Sequence, residues 1–112
     1  MRFLLQMKLV AQGRPTSPEA EIALAENCIF PSVEMFRKLR EEKKILAGGP
    51  ISGTIGIAMI VEAASPLELD GVVESVAVWP LMETSVTPLT TFEDRIRAIS
   101  SRLERAKADA QK

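Results

Sequence analysis

Residues 54–69, "TIGIAMIVEAASPLEL", decide the fold, because an apolar run of strand length passes directly into a helix start signal. In an extended chain Ile55, Ile57, Met59 and Val61 fall on one side and Ala58 and Ile60 on the other. A strand apolar on both sides needs cover on both sides. Ser65 can accept a free amide of the first helical turn, and Pro66 suits the first helical position, where its missing N–H is not needed. Glu68 completes a capping box, and Leu69, Val72, Val73 and Val76 give the helix an inner face.

Working backwards, "ILAGGPISGTIG" at 45–56 has the glycine content of a phosphate loop without its chemistry. Gly48 and Gly53 are spaced as in a P-loop, but Thr54 and Ile55 stand where Lys and Ser/Thr must reach phosphate and magnesium. No G-x-G-x-x-G is present, and the segment leads into a strand, not a helix N-terminus. Gly53-Thr54-Ile55-Gly56 matches the loop of KH domains in letters only, since its inner positions are not basic. The glycines therefore read as a short strand and hairpin, with Gly48, Gly49 and Gly53 admitting positive φ and Pro50 confining the strand to an edge or turn.

Further back, Ser17, Pro18 and Glu19 repeat the same start signal. Ile22, Ala25, Ile29, Val33, Phe36 and Leu39 then form one stripe at helical spacing, ending in "RKLREEKK". Pro31 interrupts it at a cost of about 3 kcal/mol in a helix interior, so two collinear pieces are expected. Residues 2–11 form the first strand, with Phe3, Leu5, Met7 and Leu9 opposite Leu4, Gln6, Lys8 and Val10.

Working forwards, "LMETSVTPL" at 81–89 reads as the last strand, Met82, Thr84 and Val86 alternating with Glu83, Ser85 and Thr87. Thr90 and Glu93 read as a further capping box opening a helix over 91–110. Its stripe Phe92, Ile96, Ile99, Leu103, Ala106 and Ala110 repeats at alternating spacings of four and three.

The resulting order is α+β, a ferredoxin-like β-α-β-β-α-β core over 1–89 with an extra C-terminal helix, all in one domain spanning 1–112. Both crossover helices of that plan lie on one side of the sheet and leave the other side open. Four or five apolar side chains on the open side would contribute on the order of 10 kcal/mol if covered, so sheet-to-sheet homodimerisation is expected. The alternative is that the terminal helix folds over that face within one chain.

Composition narrows the chemistry. With 14 basic and 15 acidic residues there is no cationic excess for nucleic acid. Cys28 is the single cysteine and histidine is absent, which argues against zinc sites, disulfides and Ser-His-Asp catalysis. Cys28, Met35 and Met59 read as core filler. No run has the roughly 20 apolar residues of a membrane span, and the N-terminus alternates like a strand, so a cytoplasmic protein is expected. The remaining candidates are polar residues on strands. Glu62 and Glu83 could carry a proton if desolvated, and Lys8, with Gln6 and Ser85, could bind an anionic substrate.

The combination of "LAGGPISG", "TIGIAMIVEAASPLEL" and "WPLMETSVTPL" resembles the dimeric α/β-barrel superfamily, closest to its muconolactone isomerase-like and YCII-related branches. The resemblance covers about residues 1–89. It implies a ferredoxin-like subunit that dimerises, a small-molecule pocket and no tightly held cofactor. It also implies double-bond migration by proton transfer in the isomerase branch, and a pocket His and Asp in the other, where this sequence has no histidine. Two functions stay open: a cofactor-free isomerase or lyase acting on a small carboxylate or lactone, and a non-catalytic ligand-binding or assembly module whose C-terminal helix mediates oligomerisation.

Overall fold

The computed structural model describes residues 1–111. Four strands, β1 (Arg2–Leu9), β2 (Ile45–Pro50), β3 (Gly56–Glu62) and β4 (Met82–Leu89), form one sheet in the order β2-β3-β1-β4. Every pairing is antiparallel. Between β1 and β2 run α1 (Pro18–Leu24) and α2 (Phe30–Glu41), and between β3 and β4 runs α3 (Pro66–Glu74). This is the ferredoxin-like plan expected from the sequence, followed by α4 (Phe92–Ala110).

Side-chain alternation assigns the two faces of the sheet. Phe3, Leu5 and Met7 of β1 and Ile57, Met59 and Val61 of β3 are buried beneath the helices. There they pack with Ile45 of β2, Leu69 and Val73 of α3, and Val76 and Val78 beyond it. The opposite face carries Leu4, Gln6 and Lys8 on β1, Ala58 and Ile60 on β3, and Glu83, Ser85 and Thr87 on β4. On these strands its large aliphatic residues are Leu4, Ile60 and Leu89, the last opposite Arg2, so covering this face would contribute roughly 5–9 kcal/mol.

The proline in the first crossover is accommodated by a wide turn. Residues Ala25–Ile29 form a π-helical turn joining α1 to α2, in which the Phe30 N–H donates to the Ala25 carbonyl. Pro31 cannot donate to the Asn27 carbonyl and would crowd it in a normal helix; the extra residue in the preceding turn relieves that clash. One inserted residue also rotates the helix faces by about 100° relative to each other. The inward positions are accordingly Leu24, Cys28, Ser32, Met35, Phe36 and Leu39, while Ile22 and Val33 are about half exposed. This corrects the single stripe read from the sequence.

The helix starts are set by side-chain caps. Ser17 Oγ accepts from Ala20 N at 3.1 Å and Ser65 Oγ from Glu68 N at 3.1 Å, as expected. Glu68 in turn accepts from Ala64 N at 2.7 Å. In α4 the cap lies one residue later than expected, because Thr91 Oγ1 accepts from Asp94 N at 3.0 Å. Every residue of α4 is exposed, so it does not fold over the open face as the alternative reading had it. It projects from the body, giving a radius of gyration of 19.4 Å where a compact chain of this length has roughly 13 Å.

The glycine stretch forms edge strand β2 and its hairpin, with a register shift between Ile45 and Ala47. Gly48 and Gly53 have positive φ, +98° and +81°, whereas Gly49 does not. A Cβ at Gly48 would stand 2.1 Å from the Ala58 carbonyl oxygen, while one at Gly53 would meet nothing within 4 Å. Gly48→Ala should therefore destabilise the protein by about 3 kcal/mol or more and Gly53→Ala by about 1 kcal/mol, measured by urea denaturation. Equal costs at the two positions would contradict the close approach of β2 to β3.

Candidate functional site

A cleft opens where α2 passes over the sheet. Met7 and Ile57 form its floor, Ile29, Ser32, Val33 and Phe36 its roof, and Thr54 and Ile55 of the hairpin its mouth, enclosing about 200 Å³. A second lobe of about 180 Å³ shares Val33, Phe36, Pro50 and Ile57 with the first and extends to Arg37 and Arg40. Each lobe is below the roughly 300 Å³ at which small-molecule sites begin, and the four shared residues set the two side by side.

The cleft follows from the local folding of the first crossover. The π-turn brings Ser32 to the inside, where it is 3 % exposed. Its Oγ donates to the Cys28 carbonyl at 2.6 Å and accepts the Val78 N–H at 3.1 Å. The hydroxyl thereby serves the helix and ties it to the segment entering β4. Ile29 and Val33 are left on the shoulder of the helix, lining the cleft.

The lining is mostly aliphatic. No carboxylate, lysine or cysteine lines either lobe among the described residues. At the far end Arg37 pairs with Glu34 at 3.1 Å, while Arg40 is in no ion pair among the described residues. The arrangement can therefore hold an apolar body and oppose a negative charge at one end, but it offers no side-chain base within the cleft.

The residues singled out in the sequence lie elsewhere. Lys8 is opposite Glu83, and Gln6 opposite Ser85, as neighbouring cross-strand pairs on the open face. All four are exposed. Glu62 sits at the other end of the strands, beside Arg2, and receives the N-terminal amine at 3.3 Å and Arg2 Nε at 3.7 Å. The structure thus groups Lys8, Gln6, Glu83 and Ser85 and separates Glu62 from them. Sequence reasoning missed Ser32 and Arg40. The signal for Ser32 was its place directly after a mid-helix proline; Arg40 had none, being one cation in a charged run.

The ferredoxin-like fold is shared with solved proteins. In particular, muconolactone isomerase matches it with a TM-score of 0.63 and 20% sequence identity, over 81% of this chain and 90% of that one. The 5-chloro-2-hydroxyhydroquinone dehydrochlorinase TftG from Burkholderia phenoliruptrix, solved with 2,5-dihydroxybenzoquinone, matches with a TM-score of 0.60 and 24% identity, over 84% of this chain and 98% of that one. No family model and no curated protein sequence matches the chain. At such identities the likeness establishes the fold alone.

Replacing Ser32 by Ala removes the acceptor of the buried Val78 N–H. The variant should lose about 1–3 kcal/mol of stability, and amide exchange at Val78 should accelerate more than at strand positions. Unchanged exchange at Val78 would show that Ser32 does not hold the helix to this segment.

Proposed function

We propose that the chain is a small-molecule-binding protein that works as a sheet-to-sheet homodimer and takes a compact ligand with an apolar body and an anionic end. The observation that carries this reading is the two-lobed aliphatic cleft with Arg40 at its far end. Apolar walls supply affinity, and a single cation selects the orientation of a carboxylate or phenolate. The fold similarity is in keeping with this, since the dehydrochlorinase was solved with a small cyclic quinone.

Calorimetric titration with cyclic carboxylates and their neutral alcohol analogues tests the site. Val33→Trp, at a position already 46% exposed, should fill the cleft and weaken both ligand types at least about tenfold without unfolding the protein. Arg40→Ala should weaken the carboxylates alone. Unaltered binding by the Val33 variant would remove the cleft from consideration.

A second reading is a cofactor-free isomerase or lyase acting by proton transfer on a small carboxylate or lactone. It is favoured by the cross-strand juxtaposition of Lys8 with Glu83 and of Gln6 with Ser85. Pairing of two sheets would enclose these residues with their symmetry copies, and Glu83, or Glu62 at the strand ends, would carry the proton while Lys8 holds the anion. Solvent tritium exchange into enol-lactones should then fall by about a hundredfold or more in a Glu62→Gln, Glu83→Gln variant. Equal rates would leave binding as the function.

Ile60→Asp places a charge at the centre of the open face. If two sheets pair there, sedimentation should show a dimer for the parent and a monomer for the variant, at unchanged helix content. A parent that is monomeric at high micromolar concentration would rule out the sheet-to-sheet dimer.

A further inference from the structure

We infer that α4 is a homotypic interaction element that pairs antiparallel with the α4 of a second copy of this chain. The inference is independent of the ligand reading of the cleft. Phe92, Ile96, Ile99 and Leu103 are 87%, 63%, 55% and 52% exposed along one stripe. Spacings alternating between four and three place them, with Ala106 and Ala110, at the two inward positions of a heptad repeat.

Side-chain size and charge select the partner and its direction. In an antiparallel pair centred between Ser100 and Arg102, Phe92 packs against the partner's Ala110, Ile96 against the partner's Ala106 and Ile99 against the partner's Leu103. Large residues thus meet small ones at the ends and the bulk is even along the seam. On the flanks Glu93 falls opposite the partner's Lys107 and Arg95 opposite the partner's Asp109, each contact occurring twice by symmetry. The one like-charge contact is between the two Arg102 side chains at the centre. A parallel pair would set Arg102 against the partner's Lys107 twice, gain no opposite-sign contact, and leave a thin end where alanines meet alanines.

One ion pair of α4 lies on its outer face. Asp94 and Arg97 pair with each other there, whereas Glu93, Arg95, Arg102 and Lys107, which flank the stripe, are in no ion pair among the described residues.

Disulfide trapping tests both partner and direction. In a Cys28→Ser background, Ile96→Cys and Ala106→Cys are made as separate proteins. A disulfide needs Cα atoms within about 7 Å. In the antiparallel pair a cysteine and its own copy lie roughly 15 Å apart along the axis, whereas positions 96 and 106 of different chains are adjacent. Neither variant should oxidise to a dimer alone, and the two refolded together should shift from 12.3 kDa to twice that mass on a non-reducing gel. Self-crosslinking of each variant alone would demonstrate a parallel pair and overturn the proposal. Absence of crosslinking in the mixture, with helix content intact by circular dichroism, would show that the stripe does not meet its own copy and would overturn it equally.

Discussion

Pro31 is the constraint from which the rest of this structure is arranged. A proline in the middle of a crossover helix must lose a hydrogen bond and gain clearance, and the chain achieves the second with a π-helical turn at Ala25–Ile29. That turn changes which side of the helix faces the sheet. It brings Ser32 inward, where the hydroxyl is held by Cys28 and holds Val78. It leaves Ile29 and Val33 on the shoulder, so that α2 meets the sheet along a line with an open aliphatic cleft beside it. A regular helix with the same composition would have presented the continuous stripe to the sheet and filled that space.

The architecture was legible because each element carries its own start and stop. Ser17-Pro18 and Ser65-Pro66 mark two helices by the same cap chemistry, and strict alternation in β1 and β4 fixes which residues share a face. The inward side of the first crossover was not legible, because helical periodicity presumes a constant 3.6 residues per turn and one inserted residue breaks the phase. The N-cap of α4 was displaced for a smaller reason. Thr90 and Thr91 are adjacent, and both have an acidic residue three positions later. Either could cap, and the backbone chose the second.

The candidate site was legible only in part, for a reason rooted in sheet geometry. Polar residues at alternate positions of a strand necessarily share a face, so Gln6, Lys8, Glu83 and Ser85 lie in one neighbourhood, while Glu62, read together with them from the sequence, lies at the far end of the strands. The cavity, however, lies on the other face, under the helices, where the strands contribute Met7 and Ile57. A sequence shows polar side chains far more readily than it shows empty space, because a void depends on how two apolar surfaces fail to fit. The fold similarity to an isomerase and a dehydrochlorinase concerns the scaffold, and chemistry depends on what each chain places on it.

The edge strand β2 has a consequence for how the protein behaves in a crowded solution. Its register shift, its positive-φ Gly48 pressed against β3 and its terminal Pro50 leave few regularly spaced N–H and C=O groups for a foreign strand to use. At the opposite edge, Pro88 interrupts the donors of β4 in the same way. Sheets with such interrupted borders resist growth by strand addition, the route by which exposed edges seed aggregates. The four-stranded sheet is in this sense closed at its sides without being a barrel, and association between copies is directed to surfaces whose geometry can be specified by side chains.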